Sequence, residues 1–210
     1  MKTSQEHSAH WSHHEWDLIK VTEIFKHKPA ILKKAESYFE ELRSALAAEL
    51  KAHPKPFPPD TDLVKGQIAR GENHKGFPFL SLDIPQKFSK TEFFTYRTLF
   101  WWGHYLGFSL ILKGPDLDSY TSRLIKHRQE TACENIYLSR HTSPWEWEFG
   151  DDYFAKVSKL SENEIQDIAE QLQYLKLMRF FPVSEKSFPE LDWTQAGIQS
   201  FCDLIHLVLE

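Results

Sequence analysis

The stretch that decides the fold is TYRTLFWWGHYLGFSLILKG, residues 95–114, the densest apolar and aromatic run in the chain. Its apolar side chains fall mainly on even positions both before and after the central Gly103-His104 pair. Successive side chains of a strand point to opposite faces, and directly paired residues share a face. Even positions must therefore pair with even positions. This predicts a β-hairpin with an odd number of loop residues, most simply 103–105.

The odd positions of this hairpin form a mixed face with Arg97 near its middle. An arginine there needs a carboxylate or an anionic ligand, because an unpaired buried charge is very costly. Two alternatives follow. Arg97 either pairs with Asp83 of the preceding strand, or it anchors a carboxylate or phosphate ligand. The predicted ligand site consists of Arg97, Trp101, Tyr105, Ser109 and Asp83.

The run does not have the character of a membrane span. Arg97, His104 and Lys113 interrupt it, whereas a spanning helix needs about 20 consecutive apolar residues. The N-terminus also lacks the basic start and apolar segment of a secretory signal. The two cysteines, Cys133 and Cys202, stand in no disulfide or zinc-binding spacing. We therefore expect a cytoplasmic protein without a membrane partner.

Charge and composition narrow the class of protein further. The net charge of -5 argues against a general nucleic-acid binder, which needs a basic face. The 16 Phe, 7 Tyr and 7 Trp residues can build a substantial core, because each aromatic ring buries a large area. The sequence thus indicates a globular protein with no nucleic-acid partner.

The rest of the chain alternates between helical and extended patterns. Helices are predicted at 30–50, 117–128, from the Ser161 capping box to Met178, and from Asp192 to about Leu209. Strands are predicted at 63–70, 77–84, 136–140 and 145–149. We therefore predict a single α+β domain over 1–210, with 1–14 as a mobile N-terminal arm. Its antiparallel sheet combines two hairpins and short strands, and four or five helices pack mainly on one face.

The last helix, residues 193–209, is unusually apolar, with Phe201, Leu204, Ile205 and Val208 among its residues. A helix that is apolar all round is either buried in its own domain or covered by a partner chain. The second alternative predicts a homodimer through this helix.

Histidines crowd the N-terminus. If residues 10–16 are helical, His10, His13 and His14 are spaced so that their imidazoles can converge on Zn²⁺ or Ni²⁺. The alternative is a polar arm that Trp11 and Trp16 tie to the body. No other cofactor is predicted.

Two further clusters carry ionisable groups. The loop GENHKG, 71–76, holds Glu72 and His74, which can serve as an acid–base pair or simply as hairpin-loop residues. Carboxylates at 146, 148, 151 and 152 can hold Mg²⁺ or Ca²⁺, or form a solvated face with salt bridges. No nucleotide-binding or hydrolase motif accompanies either cluster.

Residues 76–114, with LSLDIPQKF at 80–88 followed by the hairpin run, resemble an uncharacterised bacterial family of hypothetical proteins. The resemblance implies a bacterial cytoplasmic protein and brings no activity or site residue. The first functional hypothesis is a non-enzymatic binding or interaction protein that holds a small anionic ligand near Arg97. The alternative is an enzyme of unrecognised type that uses His74, Glu72 or the N-terminal histidines, with or without a metal.

Overall fold

The computed structural model describes residues 10–209. Its helices are α1 (His13–Ile19), α2 (Glu23–Ala52), α3 (Leu117–His127), α4 (Glu162–Leu172) and α5 (Trp193–Leu209). Its strands are β1 (Gln67–His74), β2 (Phe77–Phe88), β3 (Phe93–Trp101), β4 (Tyr105–Lys113), β5 (Tyr137–Ser139), β6 (Phe154–Lys156) and β7 (Leu175–Pro182). They form one antiparallel sheet in the order β1-β2-β3-β4-β7-β5-β6. The predicted α+β class is confirmed.

The hairpin of β3 and β4 confirms the parity argument. Even residues pair with even ones, and the loop holds three residues. The loop is 102–104, however, so Trp101 pairs with Tyr105 and each predicted partner is displaced by two positions. The ring of Trp101 stacks on that of His104, with centroids 3.6 Å apart, and Gly103 takes a positive φ of 78°. This ring contact accompanies the earlier turn.

The even face of the hairpin carries the main core. Side chains such as Leu82, Tyr96 and Phe108 are fully buried there, and α2, α3 and α5 contribute to the same cluster. The hydroxyl of Tyr96 donates a 2.6 Å hydrogen bond to the carbonyl oxygen of Gly197 in α5. A Cβ at Gly197 would lie 2.6 Å from Leu42 of α2, so the two helices pack closely. The apolar side chains of α5 are therefore used inside the chain.

One predicted helix is in fact a helix followed by a central strand. The spacing of apolar residues continues from Ile165 to Met178, but α4 ends at Leu172, where Gln173 adopts a left-handed φ of 56°. Residues 175–182 then form β7, which pairs with β4 along most of its length. The prediction of helix to Met178 is wrong, because a helical period and a strand period both fit the short apolar run.

The predicted strand at 145–149 is also wrong. Residues 140–153, here named the strap, contain no helix or strand and cross the odd face of the sheet. Trp147 of the strap is buried against Trp101 and Phe79, with Phe79 on β2. The partner of β5 is instead β6. The strap covers the mixed face, whereas helices cover the other.

Candidate functional site

Arg97 and Asp83 form an ion pair on the mixed face, in which Asp83 is buried and Arg97 is partly buried. They are direct neighbours across β2 and β3, and two 2.8 Å hydrogen bonds join Nε and one terminal nitrogen of the guanidinium to the two carboxylate oxygens. Thr95 donates a further 2.8 Å hydrogen bond to Oδ1 of Asp83. The ring of Trp145, in the strap, lies 4.7 Å from the guanidinium carbon. This arrangement fits the first of the two predicted alternatives, in which the carboxylate of Asp83 compensates the charge of Arg97.

The remaining predicted ligand residues are Ser109, Tyr105 and Trp101, and they do not form a pocket that opens onto the Arg97–Asp83 pair. Ser109 donates to the backbone oxygen of Arg97 at 3.3 Å, and the hydroxyl of Tyr105 donates to the backbone oxygen of Trp147. Trp101 and Tyr105 line a hollow of about 310 Å³ whose lining does not include Arg97. Trp101 and Tyr105 therefore line a hollow that is separate from Arg97, the residue predicted to bind the anionic ligand. An anionic ligand at Arg97 stays a prediction, and it would have to compete with Asp83.

Lys176 is a buried basic residue that the sequence pattern did not predict. It lies on β7, is only 2% exposed, and its ammonium donates a 2.6 Å hydrogen bond to the backbone oxygen of Glu146. Burial, together with the nearby charge of Arg97, lowers the pKa of Lys176 from 10.5 to about 7. The sequence predicted a helix over residues 161–178. In a helix Lys176 would not be placed on the sheet face that the strap covers, so its burial there was not predicted.

Salt bridges and hydrogen bonds fasten the strap to the sheet. Lys75, at the turn between β1 and β2, bonds Glu146 at 2.9 Å and Glu148 at 2.6 Å. Burial alone would raise the pKa of Glu146, but Glu148 N–H, the Lys75 ammonium and Trp147 N–H lower it to about 2. Two of the four predicted acidic metal ligands are thus engaged with a lysine, as the salt-bridge alternative expects.

Glu72 and His74 do not form an acid–base pair. Glu72 bonds Lys28 of α2 at 2.6 Å and Arg70 at 2.7 Å, whereas the ring of His74 lies 3.9 Å from that of Trp147. A register shift in β1 falls between Gly71 and His74 and accompanies this separation. Burial lowers the pKa of His74. The two side chains therefore have different partners, and Glu72 and His74 do not supply an acid–base pair.

The N-terminal histidines are not brought together either. Within residues 10–209, the one group of three potential metal ligands closer than 4.8 Å is His127, Glu130 and His206. His10, His13 and His14 do not form such a group. Residues 1–9 of the predicted mobile arm lie outside the described residues. Trp11 and Trp16 were expected to tie the arm to the body, but both are exposed, Trp11 by 71%.

The N-terminal helical segment exposes a concentrated apolar surface. We name residues 11–31 the helical arm; it comprises α1 and the beginning of α2. Eight of the thirteen large apolar side chains that are exposed in residues 10–209 belong to it: Trp11, Trp16, Leu18, Ile19, Val21, Ile24, Phe25 and Ile31. No residue of α1 is buried. The arm thus carries most of the large apolar side chains that are exposed within residues 10–209.

No family model, no curated protein and no solved structure matches this chain. The bacterial resemblance and the cytoplasmic location accordingly stay predictions. Within residues 10–209, every helix is too short or too polar to cross a bilayer. The geometry of the chain itself is the ground for a functional proposal, and its most distinctive surface is the helical arm.

Proposed function

We propose that this protein is a non-enzymatic interaction protein that associates with a second copy of itself through the helical arm. The observation that supports the proposal is the clustering of eight exposed, large apolar side chains within residues 11–31. Single exposed apolar residues are ordinary, but a contiguous apolar surface is typical of a binding site. Covering such side chains contributes about 1.5 to 3 kcal/mol for each that becomes fully buried.

The arm also continues the apolar stripe of α2 toward the N-terminus of that helix. Leu32, Ala35 and Phe39 of α2 are buried at helical spacing. Phe25 precedes Leu32 by seven residues, two turns, so it lies on nearly the same side of the helix. Phe25 is nevertheless 71% exposed. A second chain packed here would extend the existing core.

The acidic and basic side chains of the arm are balanced in number. This balance favours a protein partner that itself carries no strong net charge. The arm holds three acidic residues and three lysines. Lys20 bonds Asp17 at 2.7 Å, and Lys26 bonds Glu23 at 2.9 Å. Nucleic acids and anionic membranes select basic surfaces, which this arm does not offer. With balanced charges, two copies of the arm do not repel each other in a two-fold homodimer interface.

The arm replaces the C-terminal helix as the proposed dimer surface. Residues 193–209 remain a predicted contact from sequence, but Phe201, Leu204 and Val208 are buried within the chain. Few apolar side chains of α5 are therefore exposed to contact a second chain. We therefore propose self-association through residues 11–31 and not through α5.

Phe25→Asp is expected to weaken dimerisation at least tenfold, about 1.4 kcal/mol, because it puts a charge into the apolar contact. Sedimentation velocity over roughly 1 to 100 µM protein measures the effect. Val64→Asp is the matched control, because Val64 is 70% exposed and lies outside the arm. Its dimerisation should equal that of the wild type.

Two outcomes would contradict the proposal. One is a wild-type chain that stays monomeric over the whole concentration range. The other is equal weakening by Phe25→Asp and Val64→Asp, which would reveal a nonspecific response to added charge. Both positions are exposed, so circular dichroism of the variants should match the wild type.

A further inference from the structure

His127, Glu130 and His206 converge at one point on the surface, away from the arm and the strap. Nδ1 of His127 lies 2.6 Å from Oε1 of Glu130, and Nε2 of His206 lies 2.8 Å from Oε2. Candidate ligand atoms of the three side chains are all within 4.8 Å of one another. His127 is buried, whereas the side chains of Glu130 and His206 are 45% and 37% exposed. The cluster is therefore built on a fixed residue and is open to solvent.

We propose that these three side chains bind one transition-metal ion, with Zn²⁺ as the ion that the ligand set favours. Two imidazole nitrogens and one carboxylate are ligands that Zn²⁺ takes readily, and solvent can supply the fourth. Ligands at about 2.0 to 2.1 Å from a tetrahedral ion are about 3.3 Å apart. Small side-chain movements would thus admit the ion. The ion would link the end of α3 to α5.

The backbone around the cluster favours a cation as well. His127 is the last residue of α3, and His206 lies in the last turn of α5. The free carbonyl groups at the C-terminus of a helix carry partial negative charge, which stabilises positive charge nearby. Two helix C-termini therefore bracket the cluster. Arginines already share part of this negative charge, since Arg128 donates to the Ile125 oxygen of α3 and Arg123 to the Val208 oxygen of α5.

The competing interpretation is a hydrogen-bonded bridge in which Glu130 accepts a hydrogen bond from each imidazole. Interaction with His127 and His206 lowers the pKa of Glu130, as expected for either state. The two states differ in the protons on the rings. In the metal-bound state the ring nitrogens that face the ion carry no proton, and each neutral imidazole keeps its proton on the other ring nitrogen. The bridge alone would bind no ion.

Titration of the full, untagged and metal-stripped chain with Zn²⁺, and separately with Co²⁺ as an absorbing probe, tests the proposal. We expect one equivalent of either ion per chain, visible absorption with Co²⁺, and a higher melting temperature with Zn²⁺. His206→Gln should weaken binding at least tenfold. Glu130→Gln should do the same while keeping the size of the side chain.

The matched control replaces the four N-terminal histidines, His7, His10, His13 and His14, with glutamine. This variant should bind one equivalent as the wild type does. The proposal fails if the wild type binds neither ion, or if only the N-terminal replacement abolishes binding. It also fails if both cluster variants keep wild-type affinity. Should His206→Gln not fold, Glu130→Gln decides, because that side chain is 45% exposed.

Discussion

Asp83→Ala is expected to lower the free energy of unfolding by about 3 to 5 kcal/mol, because the change leaves the guanidinium of Arg97 in a covered site without its carboxylate. Both hydrogen bonds between the two side chains are 2.8 Å long, and Asp83 is only 4% exposed. Thr95 would lose its acceptor as well. Denaturation with guanidinium chloride at neutral pH measures the loss as a lower midpoint.

Two comparisons show whether the loss comes from an uncompensated charge. Asp83→Ala combined with Arg97→Met should recover much of the stability, since an apolar pair can replace a buried ion pair. Asp17→Ala removes a carboxylate from an exposed pair with Lys20, and it should cost less than about 1 kcal/mol. A loss from Asp83→Ala no larger than that from Asp17→Ala would mean that solvent or another group already neutralises Arg97.

Lys176→Met is expected to raise the free energy of unfolding at pH 7 by on the order of 2 to 4 kcal/mol, because it removes the cost of burying an ammonium group. Lys176 is 2% exposed, and the bond to the Glu146 backbone oxygen is its one hydrogen bond among those described. Methionine has a similar length and no charge. The gain would appear as a higher denaturation midpoint.

The pH dependence identifies Lys176 as the source of that gain. The folded chain has a Lys176 pKa of about 7, below the ordinary value of 10.5. Between these two values the unfolded chain binds a proton that the folded chain does not, so stability rises with pH by up to about 1.4 kcal/mol per unit. Lys176→Met should remove this rise.

Unfolding of both proteins from pH 7 to 9.5 provides the measurement, and the difference between them cancels the contribution of other groups such as His74. The advantage of Lys176→Met should shrink as the pH rises. A constant difference over this range, or a variant that is less stable than the wild type at pH 7, would contradict the depressed pKa of Lys176.

Parity was enough to predict the hairpin of β3 and β4 and its odd loop, because a one-residue error would turn the apolar side chains to the wrong face. Parity cannot distinguish registers that differ by two residues, and the predicted register was displaced by two. The stacking of the Trp101 and His104 rings is a local contact that accompanies the observed turn, but alternation of apolar residues does not predict it. Asp83, one of the two alternatives predicted for compensating Arg97, is its direct neighbour.

Lys176 and the strap were missed for a common reason. The helical spacing around β7 and the alternation in WEWEF at 145–149 are local patterns, and both are compatible with more than one structure. A left-handed Gln173 ends α4 before β7. Contacts of the strap with Lys75 and Lys176 hold residues 145–149 away from strand geometry. These constraints arise only after the sheet is assembled.

The arm and the metal-ligand cluster lay beyond sequence reasoning in different ways. Periodicity shows that Phe25 shares a side of α2 with Leu32, but not that Phe25 is exposed whereas Leu32 is buried. His206 follows Glu130 by 76 residues, so no local motif joins the three candidate ligands. By contrast, the apolar character of α5 correctly indicated burial as one alternative.

Hydrogen–deuterium exchange as a function of protein concentration tests the proposed interaction most directly. Self-association through the arm predicts that backbone amides in residues 11–31 exchange more slowly at high concentration, while those near Val64 are unchanged. Phe25→Asp should abolish this protection. Exchange in residues 11–31 that is the same at all concentrations would contradict the proposal that a second copy covers the helical arm.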